Sequence, residues 1–355
     1  MLGNVWATKE KAMIRLYRPL LAWIVVAMLQ PVNSAFAAGA EREHVLEGAR
    51  KEGRLVLYAG MDTEEAMLFT NEFSKKYPFI KTEIFRSTGE KIQARFLVEH
   101  RANTHSADVF QASIIQVYQL KNLKLLARYV SDEAAAYRDG FKDPQGHWTA
   151  LYQIPYVIGY NTRLVGPKDL PTSYHDLLNP KWNGWIALET EEYQWFYHWM
   201  QILGRDKGLD FMKKFAGQNL QMRAGHTLLA QLVAAGEVAL ATVVYANRVE
   251  RMKASGAPID WVKFKGPTIT AINAIAIPEK APHPNAAKLF VDFALSKEGQ
   301  NLSRGLRRIP GRPDVLPDPP TLTQGLQLYP ARPEGMIENY NDTVARFNEI
   351  FNRAK

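Results

Sequence analysis

Cysteine is absent from this sequence of 355 residues. The chain therefore has no disulfide framework, no thiolate metal site and no thiol nucleophile. It also lacks the glycine-rich patterns of nucleotide-binding loops, the G-x-S-x-G of hydrolases and the H-E-x-x-H of zinc proteases. These absences favour a binding protein over an enzyme. A catalytic triad is recognised by geometry, so a secreted enzyme stays an alternative.

Positive charge exceeds negative charge only modestly, and the formal net charge is +8. Basic residues such as Lys75, Lys76, Arg307 and Arg308 are scattered among acids. Nucleic-acid-binding domains usually concentrate positive charge on one face, so we expect no nucleic-acid partner. With 46% hydrophobic residues, the chain has an ordinary globular composition and is long enough for two lobes with proper cores.

Long apolar runs are also missing, apart from a short one near the N-terminus. Basic residues precede the run Pro19–Leu29, and the A-x-A pattern of Ala35–Ala37 follows it. The run is too short to cross a bilayer, so residues 1–37 are interpreted as a cleaved signal peptide. We expect a mature chain that begins at or near Ala38 and lies in the periplasm.

Strand and helix patterns alternate through the first part of the mature chain. Arg54–Tyr58, Ile80–Phe85 and Ala107–Gln111 have the composition of strands, and helical segments separate them. This alternation predicts an α/β protein, in which helices cover both faces of a parallel sheet.

Three later segments are predicted to connect the parts of the fold. Trp148–Tyr160 is an apolar run that contains Pro155. Because proline is disfavoured in a central strand, this run is predicted to be an edge strand or a crossing between lobes. Ile269–Ile277 has the pattern of a strand that returns to the first lobe. The proline-rich stretch Arg312–Pro333 is predicted to be a strap over the surface.

The stretch Gln221–Arg251 predicts a loop, a helix, a strand and a second loop. Thr227 is the expected N-cap, Gly236 suits the position after the helix, and Val238–Val244 has the length of a buried strand. Ligands of α/β sheets collect at strand carboxyl ends and helix N-termini. The polar residues of the two loops are Arg223, His226, Thr227, Tyr245 and Asn247.

Four blocks of the sequence resemble the periplasmic substrate-binding proteins of ABC importers, and among these the ferric-iron-binding branch. The blocks are Gly53–Asp62, Ser106–Gln111, Asn179–Gly184 and Ala281–Gln300. The resemblance covers nearly the whole mature chain. It implies the type II periplasmic-binding-protein fold, in which crossing strands join two α/β lobes and a ligand cleft between them closes by hinge motion.

The resemblance also implies the organisation and the partners of the chain. Crossings are expected near Gln153 and Ile272, and the partners are a small solute and a membrane permease. The receptor is expected to be a monomer without enzymatic activity. The expected segments are lobe 1 at 38–153, lobe 2 at 154–271, a return to lobe 1 at 272–305, and a C-terminal strap and helix at 306–355.

The iron-binding set of this branch is only partly present. Relatives use two adjacent tyrosines at the end of the strand that here ends in Val244 and Tyr245, and they often have a histidine where this chain has Asp62. A carboxylate is a hard ligand that suits iron. The resemblance therefore gives Tyr245 and Asp62 as metal ligands, with Fe(III) as the transported solute. The loop that often binds an accompanying anion in relatives is acidic here, from Leu188 to Tyr193.

Further residues are candidates for contact with the solute, and each also has an ordinary structural interpretation. Arg223 and His226 at a helix start suit an oxyanion, as does the turn at Thr88, but these residues also suit capping and turns. Asp62 either caps the following helix or contacts the ligand. Tyr245 is either a ligand contact or a packed aromatic. The other hydrogen-bonding candidates are Gln111, Gln153, Glu192, Tyr193 and Thr227.

Three classes of ligand remain open from the sequence. The first is ferric iron, bound by Tyr245 with carboxylates, with or without His226, or an iron complex. The second is a small organic anion held by Arg223, His226, Thr88 and Tyr245. The third is a zwitterion, whose amine would meet Glu191 or Glu192.

Overall fold

The computed structural model describes residues 39–263 and 266–351. The predicted signal peptide and the expected new N-terminus at Ala38 lie outside these residues. Within them, no helix is both long enough and apolar enough to cross a membrane.

The secondary structure alternates between helices and strands for most of the described chain. The α-helices are α1 (39–52), α2 (Thr63–Lys76), α3 (Gly89–Arg101), α4 (Ile114–Asn122), α5 (Tyr193–Leu203), α6 (Arg205–Ala216), α7 (His226–Ala235), α8 (Ala246–Ala254), α9 (Pro284–Leu295), α10 (Lys297–Gly305), α11 (Glu334–Glu338) and α12 (Tyr340–Phe351). The strands are β1 (Arg54–Ala59), β2 (Lys81–Arg86), β3 (Val109–Ser113), β4 (Thr149–Asn161), β5 (Ile186–Glu189), β6 (Gln221–Arg223), β7 (Leu240–Tyr245), β8 (Ile259–Trp261), β9 (Pro267–Ala276), β10 (Ile309–Pro310) and β11 (Gln327–Pro330).

The sheet of the first lobe follows the predicted alternation. Strand β1 pairs in parallel with β2 on one side and with β3 on the other, and β9 joins β3 in antiparallel orientation. Helix α9 packs beside this sheet through an apolar stripe, of which Ala287, Phe290, Val291 and Ala294 are buried. The α/β prediction for this part is therefore confirmed, with strand limits shifted by one or two residues.

Of the two alternatives predicted for the segment with Pro155, an edge strand or a crossing between lobes, strand β4 contradicts the edge strand. It is a 13-residue strand in the middle of the strand order. As far as Pro155, β4 pairs with β9, and from Tyr156 onwards it pairs with β7. Proline is tolerated because it lies where β4 exchanges one neighbour for the other, and a missing ladder N–H costs least there. Gln153 and Ile272 are partners in the register of β4 and β9.

The second lobe contains another parallel arrangement. Strand β5 pairs in parallel with β6 and with β7, while β8 adds to the far end of β4 in antiparallel orientation. The carboxyl ends of β5, β6 and β7 therefore meet at one edge of the sheet. The next residues of the chain start α5, α7 and α8 at the same edge.

The C-terminal segment is more regular than a surface strap. It contains a short strand, β11, which pairs in parallel with β9, and it ends in α12 on the second lobe. Phe347 of α12 is fully buried and packs edge-to-face against Phe196 and Tyr193 of α5. The chain thus returns to the first lobe and then crosses back to the second.

Candidate functional site

Three aromatic side chains stack at the carboxyl end of β7. The rings of His226 and Tyr245 lie 3.9 Å apart between centroids at an interplanar angle of 24°. Tyr156 of β4 is the register partner of Tyr245, and their ring centroids lie 5.8 Å apart. We call Tyr156, His226 and Tyr245 the aromatic cluster. Two strands and a helix start supply its members, so it forms only when the second lobe is folded.

A strained backbone position fixes the histidine of this cluster. The register of β4 and β7 shifts between Val157 and Gly159, and the extra residue of β7 leaves Val243 with a φ of 61°. A β-branched side chain is strongly disfavoured there. The Val243 carbonyl accepts a hydrogen bond from Nδ1 of His226 at 2.7 Å. Since a carbonyl cannot donate, Nδ1 carries the proton and Nε2 is the free nitrogen of the neutral ring.

Two buried carboxylates lie beside the histidine. Nε2 of His226 is 3.2 Å from Oε2 of Glu192, at the start of α5. Burial alone would lower the pKa of His226, but the hydrogen bond and charge of Glu192 outweigh it, so the pKa is raised. Glu189 accepts from the backbone N–H of Glu191 at 2.5 Å and of Gly225 at 3.1 Å. Burial raises the pKa of Glu189, although these N–H groups oppose the effect.

A second polar group comes from the first lobe. The guanidinium of Arg308, just before β10, lies over the ring of Tyr152 at 4.1 Å from its centroid. Its Nη2 donates to Oε2 of Glu65 in α2 at 2.5 Å. Tyr152 is buried in β4 four residues before Tyr156. The strand that joins the lobes therefore contributes one tyrosine to the Arg308–Glu65 pair and one to the aromatic cluster.

Ion pairs link the two lobes in this conformation. Nη2 of Arg248 in α8 lies 2.6 Å from Oδ2 of Asp62, which follows β1. One turn farther along α8, Arg251 lies 3.4 Å from Glu65 and 3.5 Å from Glu64 of α2. The structure therefore has its two lobes in contact.

Tyr245, His226 and Glu192 are the predicted site residues that the structure brings together. Gln111 and Gln153 are buried and already hydrogen-bonded. Gln111 accepts from the N–H groups of Gly60 and Met61 and donates to Tyr152, and Gln153 accepts from the hydroxyl of Thr270. Both amides therefore hold the strands of the first lobe together.

Several other predicted residues have different surroundings from those expected. The N-cap prediction for Thr227 is wrong, since Gly225 with its φ of 105° precedes α7 and Thr227 is exposed in the first turn. Arg223 is exposed, and its Nη1 donates to the carbonyl of the neighbouring Met222. The ring of Tyr193 packs against Tyr340 and Phe347 of α12. These residues differ from His226 in the direction of their side chains, which could not be predicted from the sequence.

The two remaining candidates of the first lobe, Asp62 and Thr88, both occupy helix N-cap positions. Thr88 accepts from the backbone N–H of Lys91 at 3.4 Å, as its structural interpretation predicts. Asp62 precedes α2 but makes no side-chain capping hydrogen bond, and it pairs with Arg248 and Arg86 instead. Asp62 thus occupies the predicted N-cap position, but its side chain does not cap the helix, because two guanidinium groups compete for its oxygens.

Sequence reasoning did not select Tyr156, Glu189 or Arg308. One signal for Tyr156 existed, since Tyr152 and Tyr156 share a face of any strand that contains both. Glu189 was visible only as part of an acidic loop. Arg308 had no local signal, because it is one of two adjacent arginines more than 60 residues beyond Tyr245.

Metal-ligating side chains are sparse at this edge. Among residues 39–263 and 266–351 there is no group of three or more histidine, aspartate or glutamate side chains placed to hold a metal ion. Burial raises the pKa of the Tyr245 phenol well above its ordinary value, and the charge of Glu192 adds to this effect. A phenolate at this position is therefore costly unless a cation compensates its charge.

Known proteins share this architecture. Residues 106–323 match the family model described as bacterial extracellular solute-binding protein. The chain is 22% identical over 274 residues to the major ferric iron-binding protein of Neisseria gonorrhoeae, covering 74% of this chain and 82% of that protein.

Two solved structures have the same fold. AfuA of Actinobacillus pleuropneumoniae, with exogenous fructose-6-phosphate bound, has a TM-score of 0.74 and 25% identity over 85% of this chain and 99% of its own. Iron-bound HitA of Pseudomonas aeruginosa has a TM-score of 0.74 and 20% identity over 84% of this chain and 99% of its own.

Proposed function

This chain belongs to the family of bacterial extracellular solute-binding proteins, and from that membership we propose that it is the periplasmic receptor of an ABC importer. The receptor acts as a monomer that captures a small solute between its lobes and delivers it to a membrane permease. The predicted signal peptide supports a periplasmic location. Members of the family bind solutes, and we propose that this chain likewise has no enzymatic activity.

The observation that carries the proposal is the strained backbone at Val243. A β-branched residue in the left-handed region is a rare outlier that costs of order 1–3 kcal/mol, and such strain clusters at functional sites. Here it directs a carbonyl to His226, whose ring then stacks on Tyr245. A packed core has no need of this arrangement, whereas a binding site needs its imidazole held in one orientation.

We propose that the lobes comprise residues 38–153 and 154–271, with a return to lobe 1 at 272–305 and a C-terminal strap and helix at 306–355. The exchange of partners along β4 supports a crossing after Pro155. In this arrangement Tyr245, His226 and Glu192 contact the solute from lobe 2, while Asp62 and Thr88 approach it from lobe 1.

An organic solute suits this cleft better than a bare metal ion. Within the described ranges no three acidic or imidazole side chains are placed to hold a metal ion, and burial raises the pKa of the Tyr245 phenol. A neutral phenol and an oriented imidazole are hydrogen-bonding groups for hydroxyl and acidic oxygens. The relative AfuA, whose structure contains a sugar phosphate, supports this class of solute.

Ferric iron, alone or in a complex, is the second candidate. Nε2 of His226 and the carboxylate of Glu192 lie 3.2 Å apart and could share a hard cation with Tyr245. Orientation of a ligand histidine by a backbone carbonyl is also usual at metal sites. Iron-bound HitA and the Neisseria gonorrhoeae protein named for ferric iron support this candidate.

A thermal-shift screen of the ligand-free mature protein tests the proposal, because a solute that binds the folded state raises the melting temperature. The panel contains ferric citrate, sugars, sugar phosphates, carboxylic acids and amino acids. Each hit is then measured by small-angle scattering for closure and by visible absorbance for a phenolate–iron band. A colourless hit that closes the lobes supports an organic solute, and a coloured one supports iron. Failure of every compound to raise the melting temperature or change the scattering contradicts a receptor for these solute classes.

A further inference from the structure

Arg308 is a buried cation with incomplete hydrogen bonding. Its side chain is 6% exposed, and only Nη2 has a partner, the carboxylate of Glu65. Nε and Nη1 are buried and meet no acceptor among the residues that the structure describes. Since Nε carries one N–H and Nη1 carries two, three of the five donors of the guanidinium are unpaired.

Unpaired donors on a buried charge are unusual in folded proteins. Buried polar groups nearly always have a partner, and the cost of leaving one without a partner is larger when the group is charged. Glu65 does not supply the missing acceptor, because its other oxygen lies 3.4 Å from Arg251. Two guanidinium groups thus share one fully buried carboxylate. The acceptor that the Arg308 donors lack is negatively charged or strongly polar.

The position of Arg308 connects this unmet requirement to the cleft. The guanidinium lies on the ring of Tyr152, and its partner Glu65 is also 3.4 Å from Arg251 of the other lobe. Tyr156 of the aromatic cluster is four residues beyond Tyr152 on the same face of β4, so Arg308 and the cluster lie along one strand. Burial raises the pKa of Tyr245, and the charge of Arg308 opposes this effect. A single small molecule could therefore meet both groups.

We propose that Arg308 anchors an anionic oxygen group of the solute, a phosphate or a carboxylate, while the aromatic cluster contacts the remainder of the molecule. The proposal rests on the receptor function proposed above and specifies its solute class. Guanidinium groups match the planar and tetrahedral oxygen arrangements of carboxylates and phosphates. A bare ferric ion would meet the positive charge of Arg308, which favours solutes that bring their own negative charge.

The test uses four probes, namely inorganic phosphate, citrate, fructose 6-phosphate and fructose. Calorimetry on ligand-free protein should show binding of at least one anion, and the comparison of fructose 6-phosphate with fructose isolates the contribution of the phosphate. Phosphate and citrate separate the two possible anionic groups. Arg308→Met should weaken anion binding about 10- to 100-fold, as expected for the loss of hydrogen bonds from a charged donor.

Two further variants separate anchoring of the anion from a structural role. Glu65→Gln removes the charged protein partner of Arg308, so it disturbs the same ion pair as the Arg308 variants do. Its anion affinity should nevertheless be equal to that of wild type or stronger. Arg308→Lys keeps a positive charge near Glu65 but loses the planar donors, so its anion affinity should fall less than that of Arg308→Met. If Arg308→Met does not fold, Arg308→Lys and Glu65→Gln decide the question.

Three results would overturn the anchoring role. In the first, the wild-type protein binds none of the three anions. In the second, the folded Arg308 variants bind the anions as tightly as wild type. In the third, the Arg308 and Glu65 variants lose equal amounts of anion affinity. If the anions fail but ferric citrate raises the melting temperature and closes the lobes, the receptor function stands and only the role of Arg308 is lost. If the whole panel of the earlier screen also fails, the receptor proposal fails with it.

Discussion

The ion pair between Arg248 and Asp62 gives a quantitative prediction about closure. The two side chains are 21% and 39% exposed and come from opposite lobes, with a separation of 2.6 Å. Arg248→Met removes this pair from the closed state and has little effect on an open state in which the lobes are apart. The closed state should therefore lose stability relative to the open state, and solute affinity should fall with it.

The size of the loss follows from the exposure of the pair. Partly exposed ion pairs contribute about 0.2–1 kcal/mol, which corresponds to an affinity change of roughly 1.4- to 5-fold. Salt should reduce the difference, because the Debye length falls from about 10 Å at 0.1 M to about 3 Å at 1 M. Calorimetry at both salt concentrations, with the first solute that the thermal-shift screen identifies, measures the effect.

Lys214→Met is the matched control for this experiment. Lys214 pairs with Asp210 at 2.7 Å, but both residues belong to α6 and both are more than half exposed. This variant removes the same charge without affecting a contact between lobes, so its affinity should equal that of wild type. The closure argument is refuted if Arg248→Met binds the solute as tightly as Lys214→Met at both salt concentrations, with unchanged scattering profiles.

Three further predictions concern single side chains. Tyr245→Phe should keep its melting temperature and weaken solute binding by about 1–3 kcal/mol in calorimetry, and an unchanged affinity would leave Tyr245 as a packing residue. The raised pKa of His226 means that its pairing with Glu192 stabilises the fold fully below about pH 6.5 and is lost as pH rises through the folded-state pKa. The melting temperature of wild type minus that of His226→Gln should thus be larger at pH 6 than at pH 9, and a constant difference would contradict the pairing. Phe347→Ala should lower the free energy of unfolding by about 3–5 kcal/mol in urea titrations and Phe347→Leu by much less, whereas equal small losses would show that α12 is not packed as described.

Much of the architecture could be predicted from the sequence because it depends on local patterns. Apolar runs, their spacing and their order along the chain predict strands and helices whose limits differ from the structure by only a few residues. The chain order also places the loops before α7 and after β7 at one sheet edge, so the proximity of His226 to Tyr245 was predictable. Gly236 ends α7 at a φ of 82°, as a glycine after a helix should.

Tertiary structure decided the features that depend on contacts distant in sequence. Pro155 is central because β4 exchanges β9 for β7 beside it, and no local rule contains that exchange. Thr227 and His226 are adjacent, yet one is exposed and the other is held by the carbonyl of Val243, because a bulge in another strand turns that carbonyl towards the ring. Arg308 lies over the ring of Tyr152 only because β10 pairs with β4. Local sequence determines the elements, whereas the orientation of each side chain and the charges that surround it are set by segments that meet only in the folded protein.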